Sequence, residues 1–196
     1  DDVKSDRIKG FGLVYVTNLS NKSADCFPLI VDAGHSVGAF VAVNPGIRQL
    51  TSRASPFLDS LSKIDLLAIN RAEAETLVPA LSARAQDEAL TPQYHPKGSE
   101  EPRLMRVGLS FGGFEMELVD FLKELRKTGV GRVLVTDGTE GAYLADEDGI
   151  RHCPAIRVEP KGTAGAGDAF ISTLSGYIAI GETASQALRA AAINAA

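Results

Sequence analysis

The sequence has no tryptophan, only two cysteines and no cluster of basic residues. Cys26 and Cys153 lie far apart and form no C-x-x-C pair, which excludes a disulfide framework and a cysteine-based zinc site. No run of about 18 apolar residues occurs, so no membrane-spanning helix is predicted. The charged N-terminus lacks the apolar stretch of a secretory signal. The net charge of -5 argues against nucleic acid held by its phosphates. We therefore expect a cytoplasmic protein with a small-molecule partner, no nucleic acid and no membrane.

The residues that are present are typical of a globular chain, with 44% hydrophobic and 23% charged among 196 residues. This length suits a single domain over residues 1–196. Apolar β-branched runs predict strands at residues 12–17, 37–43, 65–69 and 132–136, with shorter edge strands at 142–145 and 156–159. Helical spacing predicts helices at residues 21–35, from 55, 70–85, 113–128, 166–180 and 183–196. The alternation predicts an α/β fold with a mostly parallel central sheet and helices on both faces.

One segment interrupts this alternation. Residues 86–112 contain three prolines and little periodicity. A structureless connection of that length is unusual in a compact domain. We predict a flexible loop or an insertion there.

The strongest signal for chemistry is the run Gly162 to Phe170 (GTAGAGDAF), which precedes an apolar helix. Gly165, Ala166 and Gly167 let the backbone approach a ligand closely. Successive N–H groups at a helix start favour an anion such as phosphate. The alternative is a glycine-rich turn that binds no ligand. A Walker A loop is excluded because Asp168 follows Gly167, and a dinucleotide fingerprint because Phe170 replaces its third glycine.

A carboxylate directly after an anion cradle is unfavourable for binding alone. Asp168 suits catalysis better, as the base that takes a proton from a hydroxyl attacking a phosphate. Its place near a helix N-terminus favours the ionised form, and a weak base is sufficient in a loose phosphoryl-transfer transition state.

Two further motifs follow predicted strands. Asn70 and Glu73 share a face of a first helical turn, where they could hold hydrated Mg²⁺ and phosphate oxygens. They could equally form a capping box in which each caps the other's backbone. The loop from Thr136 to Gly141, with Gly138 and Gly141 three apart, could approach a nucleotide or make a hairpin turn.

In this order the three motifs resemble the ribokinase-like (pfkB) carbohydrate kinase family. Residues 162–168 match its Asp-Thr-x-Gly-Ala-Gly-Asp element at all fixed positions but the first, and the motifs at 70–73 and 136–141 match its Asn-x-x-Glu and Thr-x-Gly-x-x-Gly patterns. The resemblance implies that Asp168 is the catalytic base and that Gly165, Ala166 and Gly167 form an anion hole.

The resemblance also implies a nucleotide site and a metal. Asn70 and Glu73 would act around Mg²⁺ and the phosphates of ATP, with Glu73 as the metal-binding residue. Residues 136–141 would line the nucleotide. Asn194, in a late alanine-rich helix, would lie near the adenine. We therefore predict an ATP-dependent kinase that phosphorylates a hydroxyl of a sugar or nucleoside.

The chain departs from the family in three respects. Gly162 replaces an acidic residue linked to a monovalent cation, which puts cation activation in doubt. The N-terminal substrate and lid portion of the family has no counterpart here, and the domain is expected to be incomplete at both ends. A non-catalytic nucleotide-binding relative or inactive fragment is the alternative, and a homodimer stays open. The absence of G-x-S-x-G and of a dinucleotide motif argues against a hydrolase or dehydrogenase.

Overall fold

A six-stranded sheet runs through the centre of the chain. The computed structural model describes residues 5–85, 101–158 and 165–196. The strands lie in the order β1-β2-β3-β6-β7-β8, namely β1 (Leu13–Val16), β2 (Phe40–Val43), β3 (Leu66–Asn70), β6 (Arg132–Thr136), β7 (Ala142–Asp146) and β8 (Gly149–Cys153). The first four are parallel, whereas β7 runs antiparallel to both β6 and β8. The prediction of a mostly parallel sheet is confirmed.

Helices cover both faces of this sheet. They are α1 (Ser5–Ile8), α2 (Phe27–Ser36), α3 (Gly46–Ser52), α4 (Ala54–Ser60), α5 (Arg71–Ala85), α6 (Arg103–Val107), α7 (Leu118–Lys127), α8 (Ala166–Ala179) and α9 (Ala184–Asn194), with 3-10 turns at Asn21–Cys26, Leu61–Lys63 and Gly138–Glu140. A separate antiparallel hairpin pairs β4 (Leu109–Phe111) with β5 (Phe114–Met116). Within the described ranges, no helix has both the length and the apolar character needed to cross a bilayer.

The continuous apolar character of β3 follows from burial on both faces. Leu67 and Ile69 join a core beneath α2, α4, α5 and α7, while Leu66 and Ala68 join a second core beneath α8 and α9. All four side chains are fully buried. Because side chains alternate along a strand, a strand covered on both faces needs apolar residues at every position.

Several predicted boundaries need correction. Residues 86–100 of the predicted loop lie outside the described residues. The remainder is folded into α6 and β4, and Leu104 and Leu109 are buried, so the loop prediction is wrong for this part. The helix predicted at 113–128 begins only at Leu118, because Phe114 pairs with Phe111 in the hairpin. The edge strand predicted at 156–159 is found instead at β8.

Candidate functional site

The carboxyl ends of the central strands bring two of the predicted motifs together. Asn70 is the last residue of β3 and Thr136 the last residue of β6, and the two are partners in the parallel register. The helix that begins with Arg71 and the loop that follows Thr136 therefore leave the sheet side by side. Ligands bind at this end of open α/β sheets.

The start of α8 has the features of an anion site. Gly165 adopts a left-handed conformation with φ of 87°, and among the described residues no side chain caps the helix. The first helical hydrogen bond runs from the Ala169 N–H to the Gly165 carbonyl at 2.8 Å, so the N–H groups of Ala166, Gly167 and Asp168 precede it. A Cβ atom on Gly165 or Gly167 would meet no atom of the described residues within 4 Å, which leaves room for a ligand against this backbone. Such a helix start favours a phosphate.

A groove of about 360 Å³ connects this helix start with the loop after β6. One wall is the glycine loop, which we define as residues 136–141. The opposite wall consists of small or apolar residues, namely Ala166, Gly167, Phe170, Ala192, Ala195 and Ala196, and Cys153, Pro154, Ala155, Ile156 and Val158 complete the lining. A mostly apolar groove that ends at backbone N–H groups suits a ligand with a flat apolar body and an anionic tail.

The glycine loop is tightly closed. The Asp137 N–H donates to the Gly141 carbonyl at 2.8 Å, around the 3-10 turn Gly138–Glu140. Gly138 and Gly141 have φ of 55° and 103°. A Cβ atom on Gly141 would collide with the carbonyl oxygen of Cys153 and would lie 2.9 Å from the Cα of Pro154. The loop makes the turn between two antiparallel strands, and it also lines the groove. Contact of this loop with a nucleotide stays a prediction.

Asn70 and Glu73 form the capping box that the sequence left open. The Asn70 N–H donates to Glu73 Oε2 at 2.9 Å, and the Glu73 N–H donates to Asn70 Oδ1 at 2.9 Å. Glu73 is only 8% exposed. Burial raises the pKa of its carboxyl group, although the two hydrogen bonds with Asn70 lower it. The motif therefore has a structural role at the start of α5.

Of Asn70 and Glu73, only Glu73 carries a carboxylate that could contact a magnesium ion. In the part of the chain that the structure describes, no three His, Cys, Asp or Glu side chains come together as a metal site. Mg²⁺ at nucleotide sites keeps several waters and uses one or two carboxylates together with the phosphates. Glu73 fits such a limited contribution but does not form a metal cage.

The burial of Glu73 gives a pH-dependent prediction. The folded-state pKa is raised, so the stability contributed by Glu73 is present in acid and lost as the pH rises through that pKa. Glu73→Gln has no charge to bury and keeps an acceptor for Asn70. We expect it to match the wild type at about pH 4 and to have the larger free energy of unfolding at about pH 7, measured by urea denaturation.

The matched control is Glu124→Gln. Glu124 is 7% exposed but accepts a hydrogen bond from Lys127 Nζ at 2.9 Å, so its charge is paired. This variant should not gain stability at about pH 7. Equal stability of Glu73→Gln and wild type at about pH 7 would refute the argument.

Asp168 lies in the first turn of α8 and is exposed. A neighbour that the sequence did not suggest is Tyr15 of β1, against which α8 packs. Burial raises the pKa of Tyr15 to about 12, and the negative charge of Asp168 adds to the increase. The tyrosine hydroxyl is buried and has no hydrogen-bond partner among the described residues. Asp168 is therefore close enough to Tyr15 for its negative charge to contribute to the raised pKa of the tyrosine.

Three predicted positions are not brought into the groove. The Asn194 side chain is exposed and donates to Thr173 Oγ1 at 2.8 Å, whereas its neighbours Ala192 and Ala195 line the groove. Asn70 and Glu73 lie one strand away from it. Gly162, the position of the missing acidic residue, lies outside the described residues. Sequence reasoning missed Ala192 of α9 and the two alanines that follow this helix, Ala195 and Ala196, since small apolar side chains form no motif.

The comparisons with known proteins find similarity to carbohydrate kinases. The family model described as pfkB family carbohydrate kinase matches residues 111–196. A 1-phosphofructokinase of Haloferax volcanii is 38% identical over 68 residues, which is 35% of this chain and 21% of that protein.

Solved structures share the fold over nearly the whole chain. An E. coli protein classed as a ribokinase II, in complex with ATP and Mg²⁺, is 19% identical with a TM-score of 0.64, over 96% of this chain and 52% of its own. Aminoimidazole riboside kinase from Salmonella enterica, with aminoimidazole riboside and an ATP analogue, is 16% identical with a TM-score of 0.64, over 96% and 56%. The chain thus has a ribokinase-like fold and spans about half the length of these structures.

Proposed function

Since residues 111–196 match the pfkB family of carbohydrate kinases, we propose that this chain is the ATP-binding part of a kinase that phosphorylates a sugar or nucleoside hydroxyl. The observation that carries the proposal is the groove, which runs from an apolar wall to the start of α8 and has Asp168 at that end. The adenosine of ATP would occupy the groove. Its phosphates would accept hydrogen bonds from the N–H groups of Ala166, Gly167 and Asp168.

Asp168 is the proposed catalytic base. Its carboxylate accepts the proton of the acceptor hydroxyl, while the oxygen bonds to the γ-phosphorus and the bond to the β–γ bridging oxygen breaks, releasing ADP. The N–H groups stabilise the negative charge on the transferred group. Mg²⁺, when bound, would neutralise phosphate charge. Glu73 and Asn70 are the residues of this chain that we propose to act around the ion.

Ligand-induced stabilisation tests the proposal directly. We expect ATP with Mg²⁺ to raise the Tm of the chain, by the equivalent of about 2.7 kcal/mol at a ligand concentration of 100 Kd. NAD with Mg²⁺ is the control, because the dinucleotide motif is absent. A shift with NAD and none with ATP would contradict the proposal.

Phosphoryl transfer is measured next. The chain is incubated with radiolabelled ATP and a panel of sugars and nucleosides, and labelled product is separated from ATP. We expect label in one class of acceptor. ATP binding without transfer to any acceptor would favour the non-catalytic relative over the kinase.

A further inference from the structure

A half-buried ion pair holds the carboxylate of Asp137, the second residue of the glycine loop. The Asp137 side chain is 6% exposed, and Arg103 Nη1 donates to both of its carboxylate oxygens at 3.1 Å. Arg71 Nη1, from the first residue of α5, lies 3.8 Å from Asp137 Oδ1. A buried carboxylate needs such partners, since an unpaired charge in this position is strongly unfavourable.

The residues of the ion pair are not among those that line the groove. Thr136 and Gly138, which flank Asp137, line the groove, whereas Asp137 does not. Its partners come from α5 and α6 instead. A displacement of Asp137 would therefore move the groove wall without removing any side chain that faces a ligand.

Helix α6, which carries Arg103, is itself anchored to the central sheet. The N–H of Leu104, the next residue of α6, donates to the hydroxyl of Tyr143 at 3.0 Å. Tyr143 is fully buried in β7, and its ring packs against that of His152 with centroids 4.8 Å apart. His152 Nε2 lies 3.0 Å from the carbonyl oxygen of Glu140. Contacts that both lead to Tyr143 therefore hold the glycine loop at Asp137, near its start, and at Glu140, near its end.

We propose that Arg103 and Asp137 are positioning residues. They hold the glycine loop in position and thereby set the affinity of the groove for ATP. This inference rests on the proposed function, because it concerns the same groove. Neither side chain lines the groove, so their contribution is to binding of the nucleotide rather than to the chemical step. Loss of the pair should raise the Kd and KM for ATP with little change in kcat.

The test compares Asp137→Asn with Asp146→Asn. Asp146 is also 6% exposed and accepts hydrogen bonds from Arg151 Nη1 at 2.6 Å. It lies at the far end of β7 from Ala142, which lines the groove, about 13 Å away at the rise of a strand. Both variants remove one buried, paired charge, but only Asp137→Asn acts on the loop.

ATP binding by calorimetry and urea unfolding are measured for both variants. We expect Asp137→Asn to weaken ATP binding by about 10-fold or more, as a displacement of about 1 Å can, and Asp146→Asn to leave the Kd unchanged at a similar loss of stability. Arg103→Gln keeps Arg71 as a counter-charge and remains the milder variant if Asp137→Asn fails to fold. It should weaken ATP binding in the same direction, and Arg103→Lys should restore part of the affinity.

The outcomes separate the two claims. If wild type and Asp146→Asn bind ATP and the loop variants bind equally tightly, the positioning inference is overturned and the proposed function stands. If neither wild type nor Asp146→Asn binds ATP, the proposed function fails and the inference fails with it.

Discussion

Asp168→Asn is expected to lower kcat by at least about 100-fold while ATP binding survives, because a general base contributes about 10²–10⁴-fold to a reaction of this kind. The amide keeps the shape of the carboxylate and cannot accept the proton. The phosphates depend on backbone N–H groups, which the substitution does not remove. The Kd for ATP should stay the same or fall, because one negative charge beside the γ-phosphate is lost.

The matched control is Asp120→Asn. Asp120 is the third residue of α7, as Asp168 is the third residue of α8, and it also lies in a first helical turn. It has no glycine cradle before it, so kcat should be unchanged in this variant. Both kcat and Kd are measured for each protein, with the acceptor identified in the panel. Near-normal turnover by a folded Asp168→Asn protein would refute the assignment of the base.

Gly141→Ala is expected to disrupt the glycine loop and to weaken ATP binding severely. Gly141 has φ of 103° and ψ of -149°, a region that is essentially restricted to glycine and costs other residues about 1–3 kcal/mol. The added Cβ would also collide with the Cys153 carbonyl of the neighbouring strand, at a further cost of about 1–3 kcal/mol. Urea denaturation should show a loss of about 2–6 kcal/mol, the sum of the two terms.

Gly138→Ala in the same loop is the control. Gly138 has φ of 55°, and a Cβ there would meet no atom within 4 Å in the part of the chain that the structure describes. Only the left-handed conformation is penalised, by about 1–2 kcal/mol. The Gly138→Ala variant should therefore lose less stability than Gly141→Ala. Equal losses in the two variants would show that the contact with Cys153 does not constrain the loop.

The central strands β3 and β6 were predictable because their apolar runs are short and continuous. The run at 132–136 coincides with β6, and the run at 65–69 differs from β3 by one residue at each end. Because these strands are buried on both faces of the sheet, their apolar runs are continuous and mark where each strand begins and ends.

The boundaries that failed depend on pairing between distant residues. Phe114 continues the helical spacing of Leu118, Phe121, Leu122 and Leu125, but the Gly112–Gly113 turn places it in a hairpin opposite Phe111. Helix α3 was not predicted, since proline and glycine at its start are more typical of a turn. In the structure Pro45 occupies the N-cap position without a side-chain capping hydrogen bond, and Gly46, with φ of 69°, begins the helix.

The candidate site was predictable where backbone geometry leaves a trace in the sequence. The glycines of the loop and of the α8 start mark positions where a side chain is disfavoured or would intrude. The alanines that line the groove and the ion pair of Asp137 leave no such trace in the sequence. Arg103 and Asp137 are 34 residues apart, and their pairing follows only from the fold of the segment that begins with α6.

The most direct measurement is a crystal structure of the chain with a non-hydrolysable ATP analogue and Mg²⁺. We expect the phosphates at the N–H groups of Ala166, Gly167 and Asp168. The adenine should lie in the groove, between the glycine loop and the alanines at and after the end of α9. Analogue bound elsewhere on the sheet, with the start of α8 empty at saturating concentration, would contradict the assignment of this groove as the nucleotide site.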